Sequence, residues 1–154
     1  MDEAIAQLVE DLKHPDAAVR DQATHALWER WFWQKGAAGL AQLQRSQVLI
    51  DTGEILKAQQ LLDQLIEQLP DFAEAWNRRA VLHYTQENYR QALQDCEAVI
   101  RLVPFHFGAL HGVGLCYAAL GEYRAAARAF RQALEVQPYA LINQQMMLEC
   151  LALL

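Results

Sequence analysis

Three of the four prolines, Pro70, Pro104 and Pro138, stand 34 residues apart. A fixed period of that length constrains a chain more than its composition does, because it makes the fold an array of one repeated unit. Windows ending on these prolines, 39–70, 73–104 and 107–138, align without gaps. Each window carries two apolar stripes at helical spacing, split by a short polar break, "DTGE", "QEN" or "LGE". Each proline closes the second stripe, since it has no amide hydrogen to give and its ring clashes with the preceding turn. This predicts an all-α chain containing three antiparallel helix hairpins. Ser46, Ala80 and Gly114 on the first helices recur at one column, and Ala58, Ala92 and Ala126 on the second helices at another. Small residues there let the two helices of a hairpin approach closely, and larger ones would cost roughly 1–3 kcal/mol in overpacking. A single hairpin cannot bury its faces alone, so neighbours must stack into a solenoid.

The columns also match a known pattern. In the third window Leu110, Val113, Gly114 and Tyr117 are followed by Gly121, Tyr123, Ala126, Phe130, Ala133 and Pro138. The second gives Trp76, Ala80, His83, Tyr89, Ala92, Cys96 and Pro104, and the first Ser46, Leu49, Gly53, Ile55, Ala58, Leu62 and Pro70. This resembles the tetratricopeptide repeat (TPR) family, whose pattern is an aromatic, leucine-glycine, a tyrosine, later alanine and phenylalanine, and a closing proline. Arg79 departs from it where leucine is usual, and Gln42 where the aromatic stands. The resemblance implies a right-handed superhelix in which the first helices line a concave groove that takes extended peptides or helices. In this chain the implied peptide-binding stripe is Leu43, Gln47 and Ile50, then Asn77, Val81 and Tyr84, then His111, Leu115 and Ala118, with Arg78 at its edge. A stripe so apolar suits an amphipathic helix or hydrophobic segment, with Asn77 holding a ligand backbone amide; the other occupant is the chain's own terminus. Family members that clamp the C-terminal carboxylate of Hsp70 or Hsp90 use Lys and Asn, then Asn, then Lys and Arg. The matching positions hold Leu43 and Gln47, Arg78, then Gly108 and Gly112, so no carboxylate clamp is expected.

Residues 1–38 lie outside the period and read as an N-terminal helical pair that caps the solenoid. "DEAIAQLVEDLK" places Ile5, Leu8, Val9 and Leu12 on one helical face. His14-Pro15-Asp16 breaks the chain, and Asp16 caps a second helix running to about Lys35. The stretch "LKHPDAAVRDQATHALWERW" is similar to a HEAT-type repeat. The J-domain tripeptide His-Pro-Asp is also present, but a turn with an N-cap explains those residues fully. "LWERWFWQKG" packs three tryptophans into six residues. Leu27, Trp28, Trp31 and Phe32 have core spacing, and some of them are expected to cover the first hairpin, around Leu40, Leu43 and Leu62. Trp33 lies off that stripe, as a rim contact for a partner. Residues 39–154 form the TPR domain, in which the tail 139–154 is a terminal helix: Gln144, Met147, Leu148 and Leu151 continue the columns of Leu110, Val113, Gly114 and Tyr117. With one charge, Glu149, its outer face meets a partner or a second copy of the chain, or the helix packs back into the groove.

Composition then excludes function classes. A net charge of −6 gives no general attraction for nucleic acid or anionic lipid, and no apolar run approaches the roughly 20 residues of a membrane span. The acidic N-terminus has no signal pattern, and Cys96, Cys116 and Cys150 form no C-x-x-C pair, so a reducing, cytoplasmic setting is expected. Arg124, Arg128 and Arg131 form an i, i+4, i+7 stripe that reads as a solvated convex face. The single serine, Ser46, sits at a packing column, and the histidines are scattered. No catalytic constellation, cofactor motif or metal-ligand set emerges. The expected function is a non-enzymatic adaptor or assembly factor that holds a protein or peptide in the groove. The alternative is a structural, self-associating protein that uses the groove and the apolar C-terminal helix for homo-oligomerisation, with a homodimer through that helix as one form.

Overall fold

The 34-residue spacing reappears as a spacing of helix ends. A computed structural model describes residues 1–154 as nine helices and no strand: α1 (Glu3–Asp11), α2 (Ala17–Phe32), α3 (Gly36–Asp51), α4 (Ile55–Gln68), α5 (Ala73–Thr85), α6 (Tyr89–Leu102), α7 (Phe107–Ala119), α8 (Tyr123–Val136) and α9 (Leu141–Ala152). α4, α6 and α8 each stop two residues before a repeat proline. The intervening residues Leu69, Val103 and Gln137 have φ of −131°, −137° and −125°, out of the helical region as a following proline demands.

The polar breaks form one turn used three times. Gly53, Glu87 and Gly121 occupy the left-handed region with φ of +80°, +62° and +76°. The next amide in each case reaches back five residues: Glu54 to the Leu49 carbonyl, Asn88 to His83 and Glu122 to Tyr117, at 2.8–2.9 Å. This is the closure by which a helix end satisfies its last carbonyls. Only the middle repeat sets a side chain, Glu87, in a conformation that glycine adopts without cost.

Helix pairs α3–α4, α5–α6 and α7–α8 are the three hairpins, and α9 packs on α8 as the first helix of a further unit. The intra-hairpin columns trade volume: Gly114 faces Phe130 so closely that a Cβ there would lie 2.5 Å from the ring. Ala80 shares a core cluster with Cys96. All three cysteines are free and buried. Arg79, the departure from the leucine column, forms two hydrogen bonds with the nearly buried Asp95 at 2.8 and 2.9 Å and a third with Asp63 at 2.9 Å, lying over the Trp76 ring. The charge is tolerated because its fork geometry matches the carboxylates of two neighbouring helices.

The N-terminal pair departs from expectation in its packing. Asp2 and Asp16 cap α1 and α2 by accepting from Ile5 and Ala18 amides at 2.8 and 2.9 Å. Arg20 donates to the carbonyls of His14 and Pro15, both at 2.8 Å, which consumes the His-Pro-Asp turn in structure. α2 ends at Phe32, three residues short of the expected Lys35. Of its apolar face, Leu27, Trp28 and Trp31 do not lie on the first hairpin around Leu40, Leu43 and Leu62. Only Phe32 packs against the cluster that contains Leu43. Trp28 and Trp31 instead pack on Phe105, His106 and Phe107 at the start of the third repeat. α2 thus lies along the junctions between repeats. Gln34 and Lys35, just beyond it, bind Asp71 after Pro70. Its middle covers the residues after Pro104, and Arg20 near its start lies over the Tyr139 ring after Pro138, 4.0 Å from its centre.

Candidate functional site

Side chains four residues apart share a helix face, and two such faces meet between α5 and α7. Asn77, Val81 and Tyr84 on α5 and Gly108, His111, Gly112 and Leu115 on α7 line a cavity of about 190 Å³, with Ala80, Cys96 and Cys116 completing its lining. Five residues of the sequence-derived stripe, Asn77, Val81, Tyr84, His111 and Leu115, are therefore together. Val81 is 53 % exposed. The neighbouring Cys116 thiol, together with burial, pushes the Cys96 thiol up and keeps it neutral. The Tyr84 ring stands edge-on to Tyr89 at 5.2 Å, and burial raises its phenol above the ordinary value.

The polar members are already engaged. Asn77 donates to Glu74 Oε2 at 3.4 Å, and His111 Nδ1 meets Asn143 Oδ1 of α9 at 2.6 Å. Arg78 hydrogen-bonds Gln47, which in turn donates to Asp51 at 2.7 Å, tying α5 to α3. Burial lowers the pKa of the Arg78 guanidinium, although the Glu74 and Asp51 carboxylates oppose the shift.

The first repeat does not open onto this site. Leu43 is 1 % exposed and packs with Leu65, Ile66 and Phe72, so it belongs to the core and not to a groove lining. The residues that bury it come from α4, the junction after Pro70 and α5, and Phe32 of α2 packs against the same cluster. Ile50 packs against Ala58, Leu62 and Leu82, and Ala118 against the cluster of Ala126, Phe130 and Cys150. Trp33, 50 % exposed, is the C-cap of α2 and stands at a different opening. It lines a cavity of about 820 Å³ with Ile5, Trp31, Leu102 and Phe105, between the N-terminal pair and the α6–α7 junction.

Sequence reasoning missed a buried pair beside the groove. Glu74 and His106, 1 % and 0 % exposed, meet at 2.6 Å from Oε1 to Nε2. His106 Nδ1 accepts the Ala109 amide at 3.1 Å and caps α7, so the ring proton sits on Nε2 and faces the carboxylate. Trp31 stacks on the imidazole, with ring centres 4.1 Å apart. The only signal was "PFHF" after Pro104, which no other repeat shares.

His83 occupies the tyrosine column and is 5 % exposed, with Nδ1 unpartnered. Burial first, and Arg79 second among the lowering causes, hold its pKa below the ordinary histidine value. The folded chain therefore resists a proton that the unfolded chain accepts, and stability falls as pH drops through about 6.5. In His83→Gln the decline in unfolding free energy from urea titrations between about pH 7 and pH 5 should be shallower than in the parent, by up to about 1.4 kcal/mol per pH unit. Equal slopes would show that His83 is protonated as easily folded as unfolded.

No group of three His, Cys, Asp or Glu side chains is placed to hold a metal ion, and no helix is long and apolar enough to cross a membrane. Residues 71–138 match the family described as tetratricopeptide repeat. A curated relative, a TPR repeat-containing protein of Rhizobium etli, is 39 % identical over 77 residues, 50 % of this chain and 38 % of that protein. The chain thus spans well under half of the relative's length. A crystal structure of MamA protein superposes with a TM-score of 0.69 at 15 % identity, covering 99 % of this chain and 84 % of that one. The first TPR of Spaghetti (RPAP3), solved bound to an HSP90 peptide, gives 0.69 at 16 % identity over 73 % of this chain and 90 % of that one.

Proposed function

We propose that residues 71–138, which match the tetratricopeptide repeat family, serve as a non-enzymatic interaction module, an adaptor or assembly factor that holds a partner segment between α5 and α7. The observation that carries this reading is the apolar wall formed by Val81, Tyr84 and Leu115, with Val81 half exposed, over the buried side chains of Cys96 and Cys116. Peptide capture by the first TPR of Spaghetti supports the mode of binding. The chemistry of the ligand differs. A cation at 108 or 112 has no room to grow from the backbone, since a Cβ at Gly108 would stand 2.7 Å from Trp28 and one at Gly112 2.9 Å from the Cys96 sulfur. The ligand is therefore an apolar or amphipathic segment, and an acidic chain terminus finds no clamp. The setting we infer is cytoplasmic, in keeping with three free thiols.

The double variant Val81→Glu, Leu115→Glu should lose the partners retained by the immobilised parent chain while keeping its helical circular dichroism. On a peptide array the parent should prefer apolar segments over acidic C-terminal peptides. Unchanged partners in the double variant would overturn the groove as the binding site, and a preference for acidic termini would overturn the ligand class.

A further inference from the structure

The columns that join one repeat to the next carry sulfur on both sides at a single junction. On the second helices Leu62, Cys96 and Phe130 recur every 34 residues, and on the first helices that follow them Leu82, Cys116 and Cys150 do. The fold brings these two columns together. Leu62 and Leu82 share one buried cluster, Phe130 and Cys150 another. The middle junction, between α6 and α7, places two thiols where the others place leucines or a phenylalanine and a cysteine.

Contacts around the two thiols fix how they sit. Cys116 packs with Ala92 and Leu93 of α6, and a Cβ at Gly112 of α7 would lie 2.9 Å from the Cys96 sulfur. Ala92 and Cys96 are one turn apart on α6, as are Gly112 and Cys116 on α7. These contacts run in opposite order along the two helices, so α6 and α7 are antiparallel. A helical side chain leans toward the N-terminus of its own helix, and in an antiparallel pair placed this way Cys96 and Cys116 lean toward each other. Both are buried, yet both line the cavity of about 190 Å³ between α5 and α7. A water occupies about 30 Å³, so that space admits a hydroperoxide.

We infer that Cys96 and Cys116 are a dithiol–disulfide site, which ties the second repeat to the third when a hydroperoxide oxidises it. The Cys116 thiolate attacks one peroxide oxygen, the O–O bond breaks, and the departing oxygen takes a proton to leave as water or an alcohol. Cys116 is then a sulfenic acid. The Cys96 sulfur attacks it, the S–O bond breaks, and the hydroxyl leaves as water with the Cys96 proton. The two thiols give up two electrons and two protons, and the peroxide takes both. Ionisation sets the order of attack: the Cys96 thiol beside it holds the Cys116 pKa below the ordinary value against the opposing effect of burial, and the thiolate is the nucleophile. Such a bond suits a reducing setting, where disulfides are transient.

Three tryptic peptides separate the cysteines: 91–101 holds Cys96, 102–124 holds Cys116 and 132–154 holds Cys150. After the folded full chain is treated with hydrogen peroxide and its remaining thiols are alkylated, mass spectrometry should find 91–101 disulfide-linked to 102–124. The link should form at least about tenfold faster than Cys150 loses its thiol, because Cys150 faces Phe130 and has no second sulfur beside it. In Cys116→Ala, with helical circular dichroism retained, the Cys96 thiol should survive the same dose. Cross-linking shortens the free chain of the unfolded state, so the oxidised protein should melt several degrees higher and fall back on addition of dithiothreitol. A link to Cys150, a link between two chains on a non-reducing gel, or a link that forms only in urea overturns the inference. So do thiols at 96 and 116 that outlast Cys150, or a disulfide that leaves the melting temperature unchanged. None of these readouts depends on a partner in the α5–α7 groove.

Discussion

Trp31→Ala is expected to destabilise the chain by about 3–5 kcal/mol, the range for truncating a large buried aromatic. Trp31 is 7 % exposed, stacks on His106, and packs against Phe107 at 5.0 Å between ring centres and Phe105 at 6.3 Å. Its removal opens a void over the Glu74–His106 pair, where two buried polar groups meet. Trp33→Ala, two residues on, should cost less than about 1 kcal/mol, because half of that ring is already in solvent. Urea unfolding followed by far-ultraviolet circular dichroism reads both. Equal losses for the two variants would show that the sharing of roles within the aromatic run is wrong.

Gly114→Leu should cost about 3 kcal/mol, the upper end for overpacking. A Cβ at Gly114 would stand 2.5, 2.6 and 2.7 Å from three Phe130 ring atoms, and Phe130 is fully buried with nowhere to move. Gly114→Ala meets the same wall, but its cost is offset by about 1 kcal/mol of helix propensity. The second repeat supplies the compensating change, since it pairs Ala80 with Cys96 at these columns. Gly114→Ala with Phe130→Cys should therefore be less destabilised than the sum of its single variants, by about 1 kcal/mol in a double-mutant cycle. Strict additivity would mean that the columns do not set one another's size.

Much of this architecture is readable from residues whose contacts stay within one period. The prolines end helices because of their own ring, the glycines at 53 and 121 close turns because of their own backbone freedom, and the small columns bring together helices adjacent in sequence. The stripe Asn77, Val81, Tyr84, His111, Leu115 was legible for the same reason, since periodicity alone places α5 beside α7. Leu43 misled because a shared register does not fix how large a side chain is or how it packs. In the repeat register it is a groove residue, and its packing with Leu65, Ile66, Phe72 and Ala75, flanked by Phe32 of α2, makes it core.

The sequence by itself determined the unit, its hairpin turns and the order in which units stack, because these are local choices repeated with a fixed spacing. Tertiary structure alone decided where the N-terminal pair lies. Trp31 meets Phe105 across 74 residues of chain, and Gly108 has no Cβ to block Trp28. Such contacts join a segment without a period to one exceptional junction, "PFHF", and no spacing within either segment announces the other.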